Sequence, residues 1–78
     1  MSPQSEENKR EIERLRVSRK AVEEDFRSIF ALLQNIVREL DAMQFGHATK
    51  RANAIYSLAM CVKESVDDTY DRALSFLQ

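Results

Sequence analysis

Hydrophobic residues between Val22 and Met43 recur at steps that alternate between four and three positions. The stripe comprises Val22, Phe26, Ile29, Leu33, Ile36, Leu40 and Met43, and it extends back through Leu15 and Ile12. Arg19 interrupts the repeat. Such a seven-residue repeat is typical of a helix that packs along another helix. Because residues 4–45 contain no proline or glycine, the pattern predicts one long helix over about residues 4–44.

A second repeat with the same spacing follows in the C-terminal part of the chain. Its members are Ala52, Ile55, Ala59, Val62, Val66, Thr69, Ala73 and Phe76. This repeat predicts a second helix over about residues 50–77. The small alanine side chains on it would let two helix backbones approach closely.

The single glycine of the chain, Gly46, lies between the two repeats. We predict that Gly46 takes the left-handed conformation that commonly ends a helix, within a turn at residues 45–49. Thr49 is a suitable residue to cap the following helix. Because a connection this short joins antiparallel neighbours, the fold class predicted is an all-α helical hairpin.

Charged residues provide an independent prediction of the pairing between the helices. We call the hydrophobic repeat of each helix its seam. Folding about Gly46 aligns positions whose numbers sum to roughly 92, and it sets the seam of one helix opposite the seam of the other. In that register three oppositely charged pairs come together: Asp41 with Arg51, Arg27 with Glu64, and Lys20 with Asp71. The residues before about Leu15 would then extend past the end of the second helix.

The chain of 78 residues is expected to form one domain over residues 1–78, and a core this small is marginally stable alone. One cysteine, Cys61, and one histidine, His47, exclude an internal disulfide and a His/Cys metal set within one chain. A partner or a second subunit is the remaining support. Alternatively, a kink near Ser18 or Ser28 would let the first helix fold back as a third helix.

The apolar face of the first helix is wider than one facing helix covers, since further hydrophobic residues flank the repeat on both sides. We therefore predict a docking surface for another chain, with a homodimeric four-helix bundle or coiled-coil assembly as the simplest form. The residues chosen as protein-interaction anchors are Phe26, Phe30, Leu33, Val37, Tyr56 and Met60.

The first half of the first helix carries many charges of both signs. Its candidate charged contacts are Lys9, Arg16, Arg19 and Lys20. Glutamates are interleaved with these cations and no aromatic residue lies among them, so a solvated, ion-paired face is the better interpretation than a nucleic-acid surface. Arg19 either specifies the helix pairing from within the seam or reaches solvent or Asp71; we favour the second.

The sequence contains no phosphate-binding loop, catalytic triad or metal motif, and we expect no enzyme activity and no cofactor. Cys61 lies fourteen residues from His47, about 21 Å along a helix, so the two cannot pair within one chain. Positive and negative charges nearly cancel, with a net charge of −1, which gives no general attraction to nucleic acids or acidic membranes.

The function predicted from these observations is a non-enzymatic protein-protein interaction module, a small regulatory, adaptor or chaperone-like hairpin. Its partner would be itself, another helical protein, or both. Two alternatives remain: a nucleic-acid-binding regulator that uses the charged half of the first helix, and one subunit of a hetero-helical complex that is incomplete alone. The lone cysteine and the lack of a membrane-spanning stretch lead us to expect a cytoplasmic protein without a membrane partner.

Overall fold

The computed structural model describes residues 3–78, with side chains described from residue 5 onward. Helix α1 spans Pro3–Ala42 and helix α2 spans Gly46–Leu77. The two helices pack antiparallel as a hairpin that extends 63 × 16 × 9 Å. The predicted all-α hairpin is therefore confirmed. Helix α1 runs without a break for 40 residues, so the alternative of a kink and a third helix does not occur in residues 3–78.

The turn between the helices lies earlier than predicted and uses a different residue. Gln44, with φ of 61°, occupies the left-handed conformation that we had expected at Gly46. The amide of Gln44 donates to the carbonyl of Asp41 and the amide of Phe45 to that of Leu40, both at 3.0 Å. These two bonds satisfy the last carbonyls of α1 in the manner of a Schellman motif.

Helix α2 consequently begins at Gly46, four residues before the predicted start. No side chain caps its first turn. The predicted capping residue, Thr49, instead lies inside the helix, where its hydroxyl donates to the carbonyl of Phe45 at 2.8 Å. The connection contains only residues 43–45.

The earlier turn shifts the pairing of the helices by more than one helical turn. Ser18 contacts Tyr70 and Phe30 contacts Tyr56, so the paired numbers sum to 88 and 86 rather than to roughly 92. Arg19, not Lys20, pairs with Asp71. The Asn8 side chain donates to the carbonyl of Leu77 at 3.4 Å. The N-terminal extension beyond α2 is therefore shorter than the predicted extension before Leu15.

The observed seam differs from the predicted seam by one residue at alternate positions, so the contacting face of each helix is rotated relative to the prediction. On α1, Phe30 and Val37 are half-buried, whereas the predicted seam residues Ile29 and Ile36 are exposed. The Phe30 ring lies 6.0 Å from that of Phe26 and 5.3 Å from that of Tyr56, measured between ring centroids. The aromatic cluster explains the rotation, because a four-residue step from Phe26 brings a large ring, rather than Ile29, to the seam.

On α2 the seam keeps a strict seven-residue repeat but uses a different set of alternate positions. It comprises Thr49, Ala52, Tyr56, Ala59, Lys63, Val66, Tyr70, Ala73 and Leu77. The predicted members Ile55, Val62 and Phe76 are exposed. Alanines and large side chains thus alternate along α2, which lets the aromatic rings of both helices fit between close backbones.

Burial within the hairpin is slight. Among the residues of known burial, Ala52 alone is buried, with 5% of its surface exposed. The other seam residues are half-buried because each is covered by a single neighbouring helix.

Candidate interaction surface

A stripe of exposed apolar side chains lies beside the seam on each helix. On α1 it comprises Ile29, Leu32 and Ile36, followed by Met43 in the connection, and on α2 it comprises Ile55, Leu58 and Val62. Leu32 is 61% exposed and Leu58 is 64% exposed. These exposed fractions are high, because leucines that repeat at helical spacing ordinarily pack against another part of the protein.

Helix geometry places both stripes on one side of the hairpin. At 3.6 residues per turn, each stripe is rotated from the seam of its own helix by roughly a quarter turn, in the same rotational direction. Because the helices run antiparallel, equal rotations bring the two stripes to the same side. We call this side, formed by the seven residues just named, the outer apolar face.

The outer apolar face occupies the half of the hairpin nearest the turn. Towards the open end, the same side of α1 carries Glu7, Glu11 and Arg14, and Asp25 marks the border. Arg14 donates to Glu11 at 3.1 Å. Phe76, 90% exposed, is the large apolar residue of α2 on this side at the open end. The side is thus divided into an apolar half and a mostly charged half.

The structure places the predicted interaction anchors in two different locations. Phe26, Phe30, Leu33, Val37 and Tyr56 lie half-buried between α1 and α2. Met60 is 47% exposed and lies on the opposite side of the α2 seam from Leu58. Their role in binding a partner stays a prediction, and five of the six first serve to hold the hairpin together.

The residues of the outer apolar face were visible in the sequence but were assigned differently. Leu32 and Leu58 are among the hydrophobic residues that flank the predicted repeats, whereas Ile29, Ile36, Ile55 and Val62 are members of those repeats. Each helix carries two overlapping seven-residue repeats one position apart. On α1 the spacing alone does not say which repeat faces the neighbouring helix, because both Ile29 and Phe30 satisfy it. On α2 the inward repeat contains Lys63 where the predicted repeat has Val62, so the apolar pattern there favours the wrong repeat.

Arg19 is the centre of a polar layer across the seam. Its Nη1 donates to Oδ1 of Asp71 at 2.7 Å, and its Nη2 lies 3.7 Å from Oδ1 of Asp67. Lys63 binds the other oxygen of Asp67 at 2.9 Å. The guanidinium carbon lies 5.9 Å from the ring centroid of Tyr70. Arg19 therefore reaches Asp71, as the favoured interpretation expects. It does so from within the seam, so its role in specifying the helix pairing stays a prediction.

These contacts change the acid-base properties of the polar layer. The hydrogen bond from Arg19 to Asp71, and then the negative charges of Asp71, Asp67 and Glu23, raise the pKa of Arg19. The hydrogen bond from Lys63, followed by the charges of Lys63 and Arg19, lowers the pKa of Asp67 below its ordinary value of 3.8. Both shifts favour the charged forms of the two groups.

The remaining candidate charged contacts lie on the exposed surface of α1. Lys9 pairs with Glu6 at 3.9 Å, and Arg16 and Lys20 are exposed. Whether any of them meets a partner stays a prediction. Cys61 is an exposed thiol. Within residues 3–78, no group of three or more His, Cys, Asp or Glu side chains is placed to hold a metal ion.

Neither α1 nor α2, over the part of the chain that the structure describes, has an apolar stretch long enough to cross a membrane.

Comparison with protein-family models, with curated proteins and with solved structures finds no match to this chain. The geometry of the hairpin is therefore the basis on which a function is proposed.

Proposed function

We propose that this chain is a non-enzymatic protein-protein interaction module that acts by helical-bundle packing of its outer apolar face. The observation that carries the proposal is that far more hydrophobic residues are exposed than buried. Ala52 is the sole buried residue where burial is described, while eleven large hydrophobic residues are exposed. A soluble monomer rarely leaves contiguous apolar side chains in water, and such patches commonly mark sites of association.

The shape of the exposed residues supports a helical partner over an irregular one. Ile29, Leu32 and Ile36 repeat at three- and four-residue steps, as do Ile55, Leu58 and Val62. This spacing forms ridges that interdigitate with those of another helix. A small regulatory, adaptor or chaperone-like role suits a chain whose one extended surface is built for helix packing.

Two neighbouring residues of α2 provide a matched test. Leu58 lies on the outer apolar face and Met60 lies on the opposite side of the same helix, and both are exposed. We expect Leu58→Asp to reduce binding of the fluorescent dye anilinonaphthalene sulfonate, or to lower the assembly mass if the face is already occupied. Met60→Asp should change neither quantity, and circular dichroism should show equal helix content in both variants.

The proposal is wrong if the wild-type chain is a folded monomer that binds no dye, because the face would then not behave as an apolar surface. It is also wrong if Met60→Asp has the larger effect. That result would assign association to the opposite side, where a groove is lined by Gln34, Val37, Arg38, Asn53 and Tyr56.

A second candidate, a subunit that is incomplete alone, is supported by the same lack of a buried core. In that case the isolated chain would melt without cooperativity and would gain helix content on addition of its partner. A cooperative thermal transition of the purified chain, independent of concentration, would count against this candidate.

A further inference from the structure

We propose that a second copy of this chain covers the outer apolar face, forming a four-helix bundle in which both turns lie at the same end. This inference rests on the proposed function and names the partner of the same surface. Three features support it: the exposed area of the hairpin, the width of the face, and the distribution of charge along it.

The hairpin exposes more surface than a compact chain of its mass. Its accessible surface is 6316 Å² at a mass of 9.1 kDa. A compact monomer of that mass exposes about 4,900 Å², which leaves an excess of about 1,400 Å². If each of two copies buried that excess, the shared interface would total about 2,800 Å², within the range of obligate homodimers.

The width of the outer apolar face matches a hairpin better than a single helix. Both α1 and α2 contribute a ridge, and the two ridges have the same three- and four-residue spacing. A second copy presents an identical pair of ridges, so a two-fold axis pairs the face with itself. The net charge of −1 per chain gives two copies little mutual repulsion.

The position of the face determines the relative direction of the two hairpins. The apolar half adjoins the turn, whereas Glu7, Glu11 and Arg14 occupy the open half. With both turns at the same end, the apolar half of one copy meets the apolar half of the other, and the open halves, which carry Glu7, Glu11 and Arg14 on α1 and Phe76 on α2, meet each other. With the turns at opposite ends and full overlap, carboxylates would be buried against Ile36 and Met43, which is costly.

A staggered arrangement with the turns at opposite ends would also bring the apolar halves together. However, it would leave the open halves of both hairpins without a neighbour, including Phe76, which is 90% exposed. The arrangement with both turns at one end covers Phe76 as well as the outer apolar face. It therefore accounts for the exposed apolar residues at both ends of this side.

Sedimentation equilibrium of the full chain over a concentration series tests the partner. We expect the wild-type chain to be a dimer and Leu58→Asp to weaken dimerisation by about 100-fold or more, because it buries an unpaired charge in each subunit. Leu32→Asp, on the other helix, should act in the same way. Met60→Asp should leave the dissociation constant unchanged within about threefold, as expected for a substitution outside the interface.

The direction of the two hairpins is tested by a spin-label distance at the open end. A Cys61→Ser chain carrying Glu6→Cys provides one label per subunit. With both turns at one end, the labels lie at the same height, separated by under about 40 Å of bundle width. With the turns at opposite ends, the rise of 1.5 Å per residue separates them by more than about 50 Å. A longer distance in a confirmed dimer would overturn the proposed direction.

Failure of this inference is distinguishable from failure of the proposed function. A monomer at every concentration that binds anilinonaphthalene sulfonate through Leu58 would overturn the second copy as partner and leave the interaction surface intact. A monomer that binds no dye would overturn both. A dimer that survives both Leu32→Asp and Leu58→Asp would show that the copies meet elsewhere.

Discussion

Arg19 of α1 and Asp71 of α2 form the shortest ion pair between the two helices, with Nη1 and Oδ1 separated by 2.7 Å. Arg19 lies in the seam, at a position where the seven-residue repeat calls for an apolar residue, whereas Asp71 lies exposed beside the seam of α2. Asp67 and Lys63 extend the pair along α2. In helical bundles, a polar residue in an otherwise apolar seam can select one register among several. We attribute that role to the Arg19 layer.

The coupling between Arg19 and Asp71 can be measured by a double-mutant cycle. Arg19→Ala and Asp71→Ala should each lower the melting temperature modestly, because both groups keep contact with solvent. The double variant should lose less than the sum of the two single losses. Strict additivity would show that the ion pair does not couple the helices. Arg16→Ala, on the exposed surface of α1, serves as the control.

Acidification should destabilise the hairpin through Asp67. Since its pKa in the folded chain lies below the ordinary value of 3.8, Asp67 stabilises the fold above that value. The contribution is lost as pH falls through the lowered pKa, so the melting temperature should drop as the pH falls below the ordinary value of 3.8. Asp67→Asn should make this drop smaller. Asp25→Asn, outside the Arg19 layer, should alter it less than Asp67→Asn does.

The turn predicts that glycine is favoured at position 44 and is not required at position 46. Gln44→Gly should raise the free energy of unfolding by about 1 kcal/mol, because glycine adopts the left-handed conformation without steric cost. Gly46→Ala should be neutral or stabilising by up to about 1 kcal/mol, since α2 begins there and a Cβ would meet no atom within 4 Å. Urea denaturation of both variants measures these changes. If Gly46→Ala destabilised the protein, that result would indicate that Gly46, rather than Gln44, adopts the left-handed conformation.

The rotated seam predicts that Phe30 stabilises the hairpin itself. Phe30→Ala should lower the free energy of unfolding by about 2 kcal/mol, somewhat less than for a fully buried phenylalanine. Val17, 62% exposed on the outer edge of α1, provides a matched control. Val17→Ala should change stability by less than about 0.5 kcal/mol. Similar losses in both variants would contradict the placement of Phe30 between the helices.

The same placement changes the expected effect of a charge at the predicted anchors. If Phe30 and Val37 lay on an open docking surface, an aspartate at either position would break association and leave helix content largely intact. Because both residues lie between α1 and α2, a charge there should first open the hairpin. The outer positions Leu32 and Leu58 are the ones at which association can be tested without loss of the fold.

The sequence by itself determined the fold class of this protein. A seven-residue repeat without proline or glycine leads to a long helix, and a short connection between two such helices leads to an antiparallel hairpin. Both conclusions depend on local spacing and chain connectivity, which the sequence states directly. For Asp71 the sequence offered two partners, Lys20 and Arg19, and the structure shows the contact with Arg19.

Only the tertiary structure decided which repeat faces inward, where the chain turns, and which residues remain for a partner. Ile29 and Phe30 satisfy overlapping repeats, and the choice between them depends on how the Phe30 ring fits against Tyr56. Gly46 has the stronger local preference for a left-handed turn, yet Gln44 adopts it. A local preference of about 1 kcal/mol is outweighed when packing along two whole helices fixes their register.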